Sequence, residues 1–391
     1  MSIPKNGNIL IPVEIQHREL DGKLLLACEI AERGGGAIIG SRVEIHKQIA
    51  RLPFSLYHAK DALLSSHRIL SIVKARGHLL SVLDEEAVVY HTVDNYRERR
   101  LHPCSLGMID NIFAWGEDSK QLLEGYEGYD GQPIYETGNT RIDMLRPELR
   151  VFYAEQAEKL NKKYGNFLLI NTNFGKVNHF VETLSLDVSG SENEGSEFMR
   201  GSHKHRFKVY QAFKKMLPEL ARQLSDVPII LRPHPSENQE SWQNLLKPFK
   251  NVKIHYQGNI IPWLLASKAT LHNGCTTAVE SFLMGKIAFC FQPLEPSPFD
   301  LSLPDDLSQK YTDIDQMIAA IKKQIETGRY KKPTSQQQEL AGRFFSHLSG
   351  RLAAEELAER LIACLEEKNK CSTNLLKKSV AFLHAEGRAF V

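Results

Sequence analysis

The chain has 391 residues, 42% of them hydrophobic and 25% charged, and a net charge of +2. That length accommodates two domains with separate cores, and that balance is ordinary for a soluble globular protein. It excludes wholesale nucleic-acid binding, which needs a strongly basic surface, and no apolar run approaches the ~20 residues of a membrane-spanning helix.

Met1-Ser-Ile-Pro-Lys leads into a strand without a signal-peptide pattern, so a cytoplasmic location is expected. Ile9–Ile15 reads as the first strand and Glu19–Arg33 as a helix with Leu24, Leu25, Leu26 and Ile30 inward. Gly34, Gly35 and Gly36 stop that helix; they precede the strand Ala37–Gly40 and open no helix, so they are not a dinucleotide fingerprint. Phe54–Tyr57, Leu79–Leu83, Asn111–Trp115 and Pro133–Glu136 continue the series, and Thr137–Pro147 crosses to a second half. There a polar helix from about Pro147 to Tyr164 precedes the strands Phe167–Asn171, Pro228–Leu231, Val252–Tyr256, Ala269–Leu271 and Ile287–Phe291. The Ser/Glu/Gly-rich stretch Asp187–Ser202 reads as an insertion loop, with His203 and His205 assigned to it. Helical patterns Ile314–Glu326 and Gln336–Glu367 and a lysine-bearing tail close the chain. Strands alternating with helices imply an α/β fold with parallel sheets covered on both faces. The expected plan is two doubly wound, Rossmann-like domains facing across a cleft, residues 1–146 and 147–335, with residues 336–391 as C-terminal helices and tail.

Of the six cysteines, Cys28, Cys275 and Cys290 lie in apolar stretches and are expected reduced and buried; no spacing suggests zinc. Two strand ends carry groups suited to phosphate. Ile229-Ile-Leu231 runs into Arg232-Pro-His-Pro235, whose prolines stiffen the loop that presents His234. Ala269-Thr-Leu-His runs into Asn273-Gly-Cys-Thr-Thr277, where Gly274 allows a sharp turn and Thr276 and Thr277 begin a helix with outward amides. Ligands of open α/β sheets bind beyond the carboxyl ends of strands, where both segments fall. Asn171 and Asn173 follow the first strand of the same half, Glu280 lies one turn into the helix, and Trp263 is weighed as core against a stacking platform. No Asp-x-Asp pattern accompanies these donors, so the leaving phosphate is expected to be stabilised without a metal. In the first half, Leu79–Leu83 ends in Asp84-Glu-Glu86, three acids whose mutual repulsion is expected to raise one pKa toward general-base use. Glu14, Glu19 and Asp21 around Arg18 and Lys23 form a second charged set, in part a helix cap.

Together Ile9–Ile15, Arg18–Ala27, Asp84-Glu-Glu86, Phe113-Ala-Trp-Gly116, Thr137-Gly-Asn139, Ile170–Phe174, Arg232–Asn238 and His272–Thr277 resemble the bacterial family of surface carbohydrate biosynthesis proteins over about residues 8–295. More distantly they resemble GT-B transferases using CMP-activated acidic sugars: sialyl-, polysialyl- and capsule Kdo transferases. The resemblance implies a cytoplasmic, metal-independent glycosyltransferase moving a nonulosonic acid or Kdo-type sugar from CMP to a surface glycan, capsule or lipopolysaccharide. It needs no cofactor beyond that donor. By position, Glu85 and Glu86 stand for the acidic motif, His234-Pro235 for the His-Pro motif and Thr276-Thr277 for the hydroxyl motif. Arg232, Asn273, Gly274 and Glu280 join the nucleotide site, and Glu14, Arg18, Lys23, Asn171 and Asn173 the substrate side, with Arg18 and Lys23 on the sugar carboxylate. Ala87 replaces the motif glycine, which leaves open which glutamate is catalytic and whether configuration inverts. Rival readings are a CDP-glycerol-type phosphotransferase, a UDP-sugar epimerase and a non-catalytic glycan- or nucleotide-binding subunit. The tail beyond Glu367 reads either as a helix packing on the enzyme or a symmetry mate, as in a homodimer, or as a weak anchor to the inner membrane face near a lipid-linked acceptor.

Overall fold

The computed structural model describes residues 7–181 and 197–368; the lysine-bearing tail lies outside them. Among the described residues, twelve short strands form two six-stranded parallel sheets. The first comprises β1 (Asn8–Val13), β2 (Gly36–Ser41), β3 (Ser55–Ala59), β4 (Leu79–Leu83), β5 (Asn111–Ala114) and β6 (Ile134–Glu136), in the order β2-β1-β3-β4-β5-β6. The second comprises β7 (Leu168–Asn171), β8 (Ile229–Arg232), β9 (Val252–Ile254), β10 (Ala269–His272), β11 (Phe289–Phe291) and β12 (Gln309–Tyr311), in the order β12-β11-β10-β7-β8-β9. β4, β7, β8 and β10 are buried along their whole length, as parallel strands covered on both faces must be. This is the doubly wound α/β architecture, once in each half of the chain.

One compact unit contains residues up to Ala87, Tyr96–Met144 and the chain from Gly342; the other contains Val88–Asn95 and Leu145–Ala341. The late return is held by specific bonds. Asp143, 1% exposed, accepts from the amides of Ala353 at 3.0 Å and Ala354 at 2.8 Å, capping the helix over 353–368. The Ser346 amide donates to Trp115 O at 2.8 Å, and Phe345 packs edge-on against Trp115.

The structure departs from the expected elements in several places. β1 stops at Val13, because the Glu19 carboxylate accepts the amides of Glu14 and Ile15 and so starts the helix Gln16–Glu32. Leu24 and Cys28 lie on the exposed side of that helix; three consecutive leucines span too wide an arc for all to face inward. Cys290 is buried as expected and Cys275 partly so. The segment before the helix Ala154–Tyr164 is a 3-10 turn, Arg150–Tyr153. His203 and His205 sit on the long helix Glu197–Gln223, not in a loop. The C-terminal pattern splits into Ser335–Phe344 and the helix over 353–368, with left-handed His347 and Gly350 between them.

Candidate functional site

In the second unit, β7 is flanked by β8 and β10, and the sheet grows outward on both sides from that point. Asn171 ends β7 in register with Arg232 on one side and His272 on the other. Three loops therefore leave one edge together, at the switch point where open α/β sheets receive ligands. Phe174, fully buried against Tyr210, Phe213 and Trp242, anchors the loop after β7.

A carboxylate joins the first two loops. Glu237, 1% exposed, accepts from the amides of Phe174 and His234, each at 3.0 Å, from Thr172 Oγ1 at 2.9 Å and from Trp242 Nε1 at 2.9 Å. Burial raises its pKa against the pull of these donors. The third loop joins through Asn273, whose Oδ1 accepts the Asn173 amide at 2.8 Å. Glu237 lies inside the Arg232–Asn238 motif, but sequence alone does not distinguish a buried acid in a Pro-flanked turn from a solvated one.

His234 is exposed, and Ser236 N–H donates to its Nδ1 at 3.2 Å. That bond places the ring proton on Nε2, on the exposed side of the loop. Gly175 lets this arrangement close, since a Cβ there would overlap Ser236 Oγ. Arg232 is engaged within the fold. Its guanidinium donates to Gln257 O at 2.9 Å and Gly258 O at 3.0 Å and lies over the Trp263 ring, and burial lowers its pKa to about 10. Trp263 itself is core, packed against Tyr164, Phe167 and His255.

Gly274 adopts the left-handed φ of 69° and turns the chain into the helix Thr276–Leu283. Cys275 at its N-cap makes no side-chain cap hydrogen bond, a weaker cap for the first amides than an oxygen-bearing residue would give. Among the described residues, neither Asn171 Nδ2, on a residue 3% exposed, nor the buried Thr277 Oγ1 has a hydrogen-bond partner. Buried donors left unmet are costly, and these two mark the switch point as shaped for something polar. Pro235 is exposed on the neighbouring loop, while Thr276 and Glu280 are half-buried.

His272, Cys290 and Asp305 bring one possible ligand atom each within 4.8 Å of one another. His272 cannot bind a metal as placed. Its Nδ1 accepts the Gly274 amide at 3.0 Å, while Nε2 lies 2.8 Å from Ser308 Oγ, whose own proton goes to Pro304 O. Nε2 must carry the ring hydrogen and the Nδ1 lone pair is taken by the Gly274 amide, so neither nitrogen has one to spare. Burial lowers this imidazole to about 3, which fits a neutral structural residue.

In the first unit the acidic loop is organised differently from the expectation. Asp84, Glu85 and Glu86 are each met by cations, some of them shared. Asp84 is bound by Arg100 and by Tyr96 Oη at 2.5 Å, and burial, not repulsion, raises its pKa. Glu85, 8% exposed, lies 3.4 Å from Lys23 and 3.7 Å from Arg141. Glu86 pairs with both terminal nitrogens of Arg18. Burial pushes both glutamates up, but the cations outweigh it and hold each below the usual carboxylate range. A depressed pKa suits an ionised carboxylate and not a proton acceptor poised near neutrality.

Lys23 donates to Pro12 O and to Glu19, both at 2.7 Å, and Glu14 pairs with Arg42 and Lys60. Lys23 thus holds this network together. Ala87 is not in the left-handed region, which His347 alone occupies among the described non-glycine residues, so this loop has no need of a glycine there.

No protein-family model matches the chain, and no curated protein matches it in sequence. Solved structures match it over most of its length. The wall teichoic acid polymerase TagF aligns with a TM-score of 0.54 at 11% identity, covering 93% of this chain and 90% of that one. The UDP-GlcNAc 2-epimerase of Methanocaldococcus jannaschii, in complex with UDP-GlcNAc and UDP, aligns at 0.56 and 12%, covering 90% and 98%. The Neisseria meningitidis UDP-GlcNAc 2-epimerase bound to UDP-GlcNAc aligns at 0.53 and 12%, covering 92% and 99%. At such identities the likeness is one of fold: two Rossmann-like units of the GT-B class.

Proposed function

We propose that this chain is a GT-B glycosyltransferase that takes an acidic sugar from a CMP conjugate and adds it to a bacterial surface glycan. The observation that carries the nucleotide part is the switch point of the second sheet. There a helix start without a side-chain cap, the exposed His234 imidazole and buried donors without a partner among the described residues converge on one edge. These groups suit a phosphate, which the helix dipole and charge-assisted hydrogen bonds stabilise. CMP and the acidic sugar come from the sequence resemblance, and Glu85 and Glu86 are assigned to the acceptor side. UDP-GlcNAc and UDP, held by the similar epimerase, define the competing reading.

Calorimetry with CMP, CDP, UDP and GDP in the presence of a chelator tests this. CMP should bind tightest without divalent ions. His234→Ala should weaken it by about 1.5–3 kcal/mol, the worth of a hydrogen bond to a charged group. Preference for UDP, or strict dependence on magnesium, would overturn the assignment.

A further inference from the structure

A cavity in the second unit opens beside Asn273 and Gly274, with Phe174, Phe299 and Leu301 among its apolar walls and His205 and Asp300 among its polar groups. His205 stands near the start of the helix Glu197–Gln223, and its Nε2 lies 2.6 Å from Asp300 Oδ1. Asp300 is itself fixed. Its Oδ2 accepts the Ser297 amide at 2.8 Å, its own amide donates to Ser297 O at 3.0 Å, and its carbonyl meets His91 Nδ1 at 3.3 Å. The Phe299 ring flanks the imidazole, and Gly201 leaves that ring its space.

A carboxylate on Nε2 sets the ring hydrogen there and leaves the lone pair on Nδ1, which makes no hydrogen bond within the described chain. The side chains are 13% and 27% exposed, shielded but reachable. An oriented imidazole backed by a held carboxylate is the arrangement that proton-transfer catalysis uses.

We propose that His205 is the general base for a hydroxyl-bearing substrate, a sugar or polyol, in this cavity, with Asp300 as its positioning partner. This rests on the phosphate reading above, because Asn273 and Gly274 border both the cavity and the helix start. Nδ1 takes the hydroxyl proton as the oxygen bonds to the activated carbon. The carbon–oxygen bond to phosphate breaks, its electron pair leaving with the nucleotide. The resulting imidazolium faces Asp300. Glu85 and Glu86, held ionised by Lys23, Arg141 and Arg18, would have to loosen ion pairs to accept the same proton.

The test is nucleotide release by the full chain from CMP-sialic acid and UDP-N-acetylglucosamine, each with an oligosaccharide acceptor. His205→Gln and His205→Asn should each lower kcat about 100-fold or more, leaving donor KM and the CMP Kd within about threefold. Asp300→Asn should lower kcat about tenfold or more, and the double variant should be no worse than His205→Gln alone, because the pair acts as a unit. A His205→Gln protein keeping more than a tenth of wild-type turnover overturns the proposal. If the wild type consumes neither of these donors, the reading under Proposed function fails. The dyad is then judged by 15N NMR of His205 at pH 8.5 with the oligosaccharide alone: a bare Nδ1 whose resonance moves on adding it supports the dyad, and a protonated Nδ1 or an unmoved resonance overturns it.

Discussion

Asp305 shows how burial at one residue becomes a pH dependence of the whole fold. It is 6% exposed and accepts from Cys290 Sγ at 3.2 Å and Gln292 Nε2 at 3.2 Å, and burial pushes its carboxyl from 3.8 up to about 6. A raised folded-state pKa means that the native form binds more protons than the unfolded chain across that interval. Stability is therefore fully present below pH ~4 and declines as pH rises through about 6, by up to about 3 kcal/mol. Asp305→Asn should flatten the melting temperature between pH 4 and 6.5 and raise it at pH 7.5. An unchanged pH profile would show that the carboxyl titrates normally.

At the scale of elements, the helix Gln16–Glu32 approaches the short helix Thr140–Asp143 closely at Gly22. A Cβ there would lie 2.9 Å from Arg141 N and from Thr140 Oγ1. Backbone cannot retreat as a flexible side chain does, so Gly22→Ala should cost about 1–3 kcal/mol of stability in denaturant unfolding. It should also disturb the contact of Arg141 with Glu85. Most strands were legible because β1, β4, β7, β8 and β10 are short apolar runs bounded by polar residues. β12 was not, since Gln309-Lys310-Tyr311 is a three-residue edge strand without that contrast. The strand ends that carry Asn171, His234 and Gly274 were legible from glycine and proline punctuation. The acidic loop was misread, because Arg100, Lys23, Arg141 and Arg18 reach it from distant sequence and no local pattern gives side-chain direction. His205 and Asp300, 95 residues apart, were invisible for the same reason.

On the scale of the whole molecule, the first unit takes in chain from both ends of the sequence. Its late contribution covers Trp115 with Phe345 and gives the carboxylate of Asp143 the amides of Ala353 and Ala354. A chain ending at residue 341 would take two amide donors from that buried carboxylate and uncover the face of Trp115, which costs hydrogen bonding and apolar burial together. Scanning calorimetry of such a truncated protein should show the first unit's transition lowered by 10 °C or more, or lost, and protease should cut first within residues 97–144. Unchanged melting would show that the returning helix adds nothing to that unit.

The same return has a consequence for biosynthesis. Domains usually fold as they emerge from the ribosome, amino-terminal first, at roughly 5–20 residues per second. Here the unit begun first is finished last, because residues 145–341 must be translated before the helix that caps on Asp143 exists. For roughly ten to forty seconds the nascent first unit waits with an unfilled face, while the second unit can fold without it. That interval is when the chain is most open to aggregation and to capture by chaperones, and a slow codon stretch before residue 342 would lengthen it.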